Sequence, residues 1–262
     1  MLIDSHCHLH DRKFFGAEEA EKMLLRAAEN DVRKIVCIGT DVDDSLAARD
    51  FTATHEGVFF TFGIHPNEVD GAEERERNLK ALAEVDPVIF KDPRLVAIGE
   101  VGLDYHYENF NREAQIELFE KMLALAREHN LPVVFHVREA FDDFFEIIKK
   151  YPEVRGVVHS FTDSKKKLKR ILIETDFYVG VNGLATYTTL PLPPLDRILL
   201  ETDAPFLTPK PFRGIINESA YIRNIAEWLA DKTQVEFDKI EGETTKNAEG
   251  LFNFSDSRLR EA

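Results

Sequence analysis

The sequence is poor in several features that would assign it to a specialised class of protein. Only two of its 262 residues are cysteines, and both Cys7 and Cys37 lie in apolar runs, which excludes a disulfide framework and predicts two buried thiols. No apolar run approaches the length of a membrane-spanning helix, and the N-terminal residues MLIDSHCHLH show no basic segment followed by an apolar core. We therefore expect a cytoplasmic protein that does not enter a membrane.

Excess positive charge is also lacking. The chain has 33 Lys and Arg against 48 Asp and Glu, which gives a net charge of −15. This balance counts against a broad basic surface that grips duplex nucleic acid. It still allows a substrate phosphate held by metal ions, because a bound ion can be the largest charge in a site. No Pro-, Gly- or Ser-rich linker divides the sequence, so we predict a single domain over residues 1–262.

What the sequence does contain is a regular alternation of two kinds of segment. Helix-like stretches with apolar residues at spacings of three and four, such as 18–29, 73–85, 113–129 and 140–149, separate most of the β-branched runs. Eight such units predict a parallel sheet closed into a (β/α)8 barrel. The predicted strands are Leu2–Cys7, Lys34–Gly39, Val58–Ile64, Leu95–Val101, Pro132–Val137, Gly156–Phe161, Phe177–Val181 and Ile198–Thr202.

The seventh unit departs from this pattern. Between Gly183 and Ile198 the sequence reads LATYTTLPLPPLDR, in which three prolines forbid a regular helix. We predict that a Pro-rich loop over residues 184–197 replaces the seventh helix. Two further helical segments, 218–229 and 235–252, follow the eighth strand.

Six side chains suited to metal binding fall at or near the C-terminal ends of the predicted strands. His6 and His8 leave the same face of an extended strand, while Cys7 points away. A lone His-x-His pattern is weak, but here the placements agree at five strand ends, where barrel enzymes have their active sites. The predicted ligands are His6, His8, Glu100, His136, His159 and Asp203.

Four imidazoles and two carboxylates suit two ions that share a carboxylate better than they suit one tetrahedral ion. One predicted ion is held by His6, His8, Glu100 and Asp203. The other is held by His136, His159 and the second oxygen of Glu100. Two ions about 3.5 to 4 Å apart activate a water as hydroxide and stabilise both oxygens of a displacement. Asp203 is the predicted general base and Glu100 the bridging catalytic residue, while Mg, Mn and Zn all stay open.

Longer motifs surround these ligands from the first strand to the last. They are IDSHCHLH, GIHP at 63–66, AIGEVGLDY at 97–105, LPVVFHVREA at 131–140, VVHSF at 157–161 and LLETDAPFLTP at 199–209. Together they resemble the TatD-type metal-dependent deoxyribonuclease family. The resemblance implies an amidohydrolase-like barrel with the same six ligands. It also implies divalent-metal hydrolysis of DNA, typically from the 3′ end of single strands, with single-stranded DNA or DNA ends as substrate. Val137 stands where the family often has Ser, and Ser160 where Cys is common.

Other polar residues near the strand ends are candidates for supporting roles. Arg138 and Arg213 are predicted to bind substrate phosphate, since cations after barrel strands suit phosphate oxygens. His65 is predicted to form a hydrogen bond to the same phosphate or to support a ligand. Asp4 and Glu201 share strand faces with ligands and are predicted to orient them. Among aromatic residues near the motifs, Tyr105 and Phe161 are the predicted base-stacking residues.

Two other functions remain open at this point. A metal-dependent deacylase or amidohydrolase would direct the same hydroxide at an ester or amide, including acyl-tRNA. Many such enzymes bridge two metals through a carboxylated Lys on the fourth strand, and this chain has no Lys there. The third hypothesis is a non-catalytic module that metal stabilises, and the full ligand set with Asp203 counts against it.

Overall fold

Eight parallel strands form one sheet in chain order in the computed structural model, which describes residues 1–254. The first and last strands meet through backbone hydrogen bonds from Asp203 N to the His6 carbonyl and from His8 N to the Ala204 carbonyl, both 2.8 Å. The predicted (β/α)8 barrel is therefore confirmed. The strands are β1 (Leu2–Cys7), β2 (Val32–Cys37), β3 (Val58–Phe62), β4 (Leu95–Asp104), β5 (Val133–Arg138), β6 (Gly156–Val158), β7 (Tyr178–Val181) and β8 (Ile198–Leu200).

Helices connect most of the strands and cover the outside of the sheet. Six lie between strands and two follow β8. They are α1 (Ala17–Glu29), α2 (Val42–Thr52), α3 (Ala72–Glu84), α4 (Arg112–His129), α5 (Phe141–Ile148), α6 (Lys165–Glu174), α7 (Ile222–Thr233) and α8 (Phe237–Phe252). Side-chain caps fix several starts, as where Asn111 accepts from Ala114 N at 3.1 Å to begin α4.

The connection between β7 and β8 contains no α-helix, as the prolines predict. It consists of two short 3-10 turns, Gly183–Thr186 and Leu195–Arg197, joined by the Pro-rich stretch. Arg197 pins the end of this connection, because its guanidinium donates to the carbonyls of Thr175 at 2.8 Å and Phe177 at 2.7 Å. The loop is thus tied to the start of β7.

Most strand ends lie within two residues of the prediction, and two differ from it by three residues. β4 continues three residues past Val101, to Asp104, since its backbone stays paired with β5 as far as Arg138. β6 ends at Val158 rather than at Phe161 because Ser160 adopts a left-handed φ of 46°, which turns the chain out of the sheet. Both differences bear on the site below.

Apolar residues pack on both faces of the sheet. The larger cluster lies between strands and helices and includes both cysteines, which are buried free thiols as predicted. The smaller cluster joins strand residues such as Ile3, Val36 and Phe59 to Phe252 and Phe254 at the end of α8.

No helix within residues 1–254 is long and apolar enough to span a bilayer. The predicted domain covers residues 1–262, of which 255–262 lie outside the described residues. That the chain forms a single domain stays a prediction.

Candidate metal centre

The six predicted ligands meet at one end of the barrel, at the C-terminal ends of their strands. His6 belongs to β1, Glu100 to β4 and His136 to β5, while His159 directly follows β6. His159 N still donates to the Phe135 carbonyl at 3.0 Å, so the sheet ladder positions this imidazole although β6 has ended. The sheet therefore gathers side chains from widely separated segments. The complete set is His6, His8, Glu100, His136, His159 and Asp203.

Glu100 lies at the centre of the set and its two oxygens face different partners. Oε1 is 2.7 Å from His136 Nδ1 and 3.0 Å from His159 Nε2. Oε2 is 3.5 Å from His6 Nε2. The residue is 4% exposed, so its charge meets these imidazoles rather than water.

Asp203 completes a second group on the other side. Its Oδ1 lies 3.5 Å from His6 Nε2 and 3.6 Å from His8 Nε2. The residue has a φ of 58°, a left-handed conformation that is uncommon outside glycine and is found at functional turns. His6, His8 and Asp203 form one cluster of potential ligand atoms within 4.8 Å of one another, and Glu100, His136 and His159 form another.

The residues present fit divalent metal ions. Buried polar atoms are nearly always hydrogen-bonded, yet both ring nitrogens of His6 are buried without a hydrogen-bond partner. The 3.5 and 3.6 Å separations to Asp203 are too long for hydrogen bonds of good geometry. Imidazole and carboxylate donors are also the set that Zn, Mn and related ions accept.

Carboxylates face the outer ring nitrogens of two imidazoles. Asp104 Oδ2 is 3.0 Å from His136 Nε2, and Glu201 Oε1 is 3.5 Å from His159 Nδ1. The hydrogen bond to Asp104 fixes the orientation and tautomer of His136, which leaves its opposite nitrogen free to bind an ion. Glu201 places a negative charge beside His159, whose Nδ1 has no hydrogen-bond partner. Glu201 occupies the position predicted for it. Sequence reasoning missed Asp104, although its even spacing from Glu100 on one strand was the available signal.

Asp4, the other predicted orienting residue, contacts no imidazole. Its carboxylate accepts from Thr202 N at 2.9 Å, from Thr202 Oγ1 at 2.6 Å and from His6 N at 3.4 Å. Asp4 therefore holds the backbone of the two strand ends that carry His6 and Asp203. The same buried position explains the burial-driven rise of the Asp4 pKa to about 7.

A cavity of about 440 Å³ opens above the ligands. Arg138 lines it beside His136 and His159, and Leu184 from the Pro-rich connection lines its wall. His65 lies on the β3 side, with Nε2 3.9 Å from Glu100 Oε1. Arg213 does not line this cavity. Its guanidinium lies over the ring of Tyr187, 4.1 Å from the ring centre.

Comparison with known proteins decides the family. The family model for TatD related DNase matches residues 3–253. The chain belongs to this TatD family.

Relatives of this TatD chain match over nearly their whole length. The uncharacterized metal-dependent hydrolase YabD of Bacillus subtilis is 34% identical, covering 97% of this chain and 100% of the relative. The 3′-5′ ssDNA/RNA exonuclease TatD of Erwinia tasmaniensis is 32% identical, covering 96% and 100%. The crystal structure of YjjV, a TatD homolog from Escherichia coli K12, superposes with a TM-score of 0.84 at 27% identity, over 96% of this chain and 98% of that one. The chain is thus a metal-dependent hydrolase of the TatD family.

Electrostatics in this TatD centre keep the central carboxylates ionised. Burial favours the neutral acid, but the charge of His159 and hydrogen bonds from His136 and His159 outweigh it and hold the pKa of Glu100 well below its ordinary value. Burial, and then the neighbouring charge of His159, lower the pKa of His6 and favour the neutral imidazole that a metal needs. Burial also lowers the pKa of His65 to about 3.

The aromatic residues predicted to stack bases are not free to do so. The Tyr105 hydroxyl donates to Asp143 Oδ2 at 2.7 Å, and its ring stacks on Phe110 with centroids 4.6 Å apart. Phe161 is buried at 5% exposure.

Proposed function

We propose that this hydrolase cleaves phosphodiester bonds of single-stranded DNA or DNA ends and removes nucleotides from the 3′ end. The observation that carries the proposal is the pair of ligand clusters that meet at Glu100, beneath a cavity that also presents Arg138. Family membership supports it, as does the relative named as a 3′-5′ ssDNA/RNA exonuclease.

The two clusters define where two divalent ions would be held. His6, His8, Asp203 and one oxygen of Glu100 would hold the first. His136, His159 and the other oxygen of Glu100 would hold the second. Mg, Mn and Zn are the candidate ions. When bound, they would supply an acidified water and positive charge against the phosphate oxygens.

Protein groups supply the remaining steps of the proposed reaction. A water oxygen bonds to phosphorus, and the bond from phosphorus to the 3′ oxygen of the preceding nucleotide breaks. Asp203, ionised and at the mouth of the centre, takes the proton of the attacking water, and the departing 3′ oxygen receives a proton from solvent. Arg138 donates to a non-bridging phosphate oxygen.

His65 can also donate a hydrogen bond to the phosphate that Arg138 contacts. Its Nδ1 accepts a hydrogen bond from Asn67 N at 3.3 Å, so this network assigns the ring proton to Nε2. That Nε2–H is turned toward the side of Glu100. His65 would therefore position substrate as a neutral hydrogen-bond donor, whereas Arg213 would meet the strand farther from the centre.

The direct test uses metal-reconstituted protein and 5′-labelled single-stranded DNA. We expect a ladder of stepwise shortening, and Asp203→Asn should slow it by about 100-fold or more because general-base catalysis is lost. Asp176→Asn, an exposed carboxylate on another face, is the matched control. A phosphorothioate at the terminal 3′ linkage should block shortening, and one at the 5′ end should not. Intact DNA together with hydrolysis of acyl esters or amides would overturn the proposal in favour of a deacylase.

A further inference from the structure

Two phenylalanines are conspicuous by their exposure. The chain has 20 Phe, and within residues 1–254 only Phe14 and Phe206 are exposed, each at 46%. They contact each other edge to face, with ring centroids 5.3 Å apart at 82°. Exposed apolar side chains in mutual contact mark interaction sites more often than isolated ones do.

This aromatic pair adjoins the metal centre. The Phe206 ring lies 6.2 Å from the His8 ring at 68°, and Phe206 is three residues beyond Asp203. Phe14 comes from the segment between β1 and α1, which follows His8 in the sequence. The two rings therefore rise beside the cluster formed by His6, His8 and Asp203.

Backbone hydrogen bonds hold both residues in place. Phe206 N donates to the Asp203 carbonyl at 2.8 Å, and Phe14 N donates to the Asp11 carbonyl at 3.1 Å. The Phe206 carbonyl also accepts from Asn217 Nδ2 at 2.5 Å, and the same amide group reaches the Thr202 carbonyl at 2.8 Å. A fixed ring loses little freedom when a ligand binds, so the pair is preorganised.

We propose that Phe14 and Phe206 form a stacking platform for an unpaired base of the nucleotide next to the scissile phosphate. This inference rests on the proposed nuclease function. Aromatic rings bind every base through its π-face, so such a platform accepts single strands without reading sequence. A base inside a duplex is already paired and has both faces stacked on neighbouring bases. The platform would therefore favour frayed or single-stranded ends. The exposed cations Arg12 and Lys13 immediately before Phe14 suit the adjoining phosphates.

A cycle of protein and substrate changes tests the platform in turnover. Phe14→Ala and Phe206→Ala should each raise KM for a single-stranded oligonucleotide by about 10-fold, the effect of losing one base stack. An oligonucleotide with an abasic 3′-terminal nucleotide should show the same rise with the unaltered protein and no further rise with either variant. Phe206→Trp should restore the value for the normal oligonucleotide. Ile173→Ala, which removes an exposed side chain at the end of α6 leading into β7, is the control.

A binding measurement separates the platform from the reaction. A 3′-terminal 2-aminopurine loses fluorescence when it stacks, so metal-loaded Asp203→Asn protein should quench it. Adding Phe14→Ala or Phe206→Ala should remove the quenching, and Ile173→Ala should not. Quenching that persists in both alanine variants overturns the platform. If the unaltered protein leaves DNA intact while the quenching is present and Phe-dependent, the nuclease proposal fails and the stacking platform stands.

Discussion

At the scale of single residues, the pairing of imidazoles with outer carboxylates determines what the centre can bind. His136 is held from Nε2 by Asp104 and directs Nδ1 at Glu100, at 3.0 and 2.7 Å. His159 has the reverse arrangement, with Nε2 toward Glu100 and Nδ1 toward Glu201. His136 therefore has one nitrogen hydrogen-bonded to Asp104 and one available to an ion, and His159 has the charge of Glu201 beside its outer nitrogen.

Asp104→Asn tests this assignment. An amide at this position can no longer hold His136 as a charged acceptor, so we expect affinity for divalent ions to fall by about 10- to 100-fold. Titration calorimetry of the metal-free protein measures it. Asp176→Asn should bind ions as the unaltered protein does, and equal affinity in Asp104→Asn would show that the contact is incidental.

The sequence predicted the residues of the centre because they share one position, the C-terminal end of a strand. Strand ends can be recognised by β-branched runs, and histidines and carboxylates at those ends need no knowledge of distance. Asp104 escaped because Gly102 makes the strand look finished at Val101, and the continued pairing with β5 is visible only in three dimensions. Phe14 and Phe206 escaped for a related reason, since apolar residues in loops carry no sequence signal of exposure.

At the scale of elements, the connection between β7 and β8 shows what replaces a missing helix. A helix would satisfy its own backbone groups, whereas side chains at the two ends of this segment tie it to the rest of the barrel. Arg197 supplies donors to the Thr175 and Phe177 carbonyls, and Asn182 Nδ2 donates to Ser160 Oγ at 2.9 Å and Glu201 Oε1 at 3.2 Å. Prolines predicted that no helix forms, but they did not indicate which groups would tie the loop down.

Arg197→Met measures the strength of that tie. Losing charged donors to two carbonyls should lower the free energy of unfolding by about 2 kcal/mol. Urea denaturation followed by circular dichroism gives the value. Arg223→Met removes an exposed pair with Glu227 on α7 and the contact of the guanidinium with the Phe237 ring, and should cost about 1 kcal/mol or less. Equal losses for the two variants would mean that the loop is held by other contacts.

At the scale of the whole molecule, the net charge of −15 opposes a polyanionic substrate. Attraction must then come from bound ions and a few local cations rather than from the surface as a whole. The candidate phosphate contacts by protein cations are Arg138 in the cavity, Arg213 beyond it, and Arg12 and Lys13 beside the aromatic pair.

The number of phosphate contacts determines how strongly kcat/KM depends on salt concentration. With four phosphate contacts, the logarithm of kcat/KM for single-stranded DNA should fall against the logarithm of salt concentration with a slope of about −2.8. Arg138→Met should reduce the slope by about 0.7, the share of one contact. Steady-state kinetics in KCl at fixed metal concentration provide both slopes. A slope several times steeper would show that a further cationic surface contacts the DNA strand.

A single barrel should also unfold as one unit. We expect one calorimetric transition with equal calorimetric and van't Hoff enthalpies, and added divalent ion should raise Tm because it binds only the folded centre. His6→Ala should retain the single transition and lose most of the rise. Two separate transitions would contradict the single-domain prediction.

The contact between β1 and β8 has a consequence for how the protein is made. His6 and Asp203 lie far apart in the sequence, and their strand ends join where Asp203 N reaches the His6 carbonyl and His8 N reaches the Ala204 carbonyl. A nascent chain whose β8 is still inside the ribosome has an open sheet and presents five of the six candidate ligands. Capture of the ion assigned to His6, His8 and Asp203 would thus wait until the last strand of the barrel has been synthesised, and metal content would distinguish closed barrels from chains truncated before Asp203.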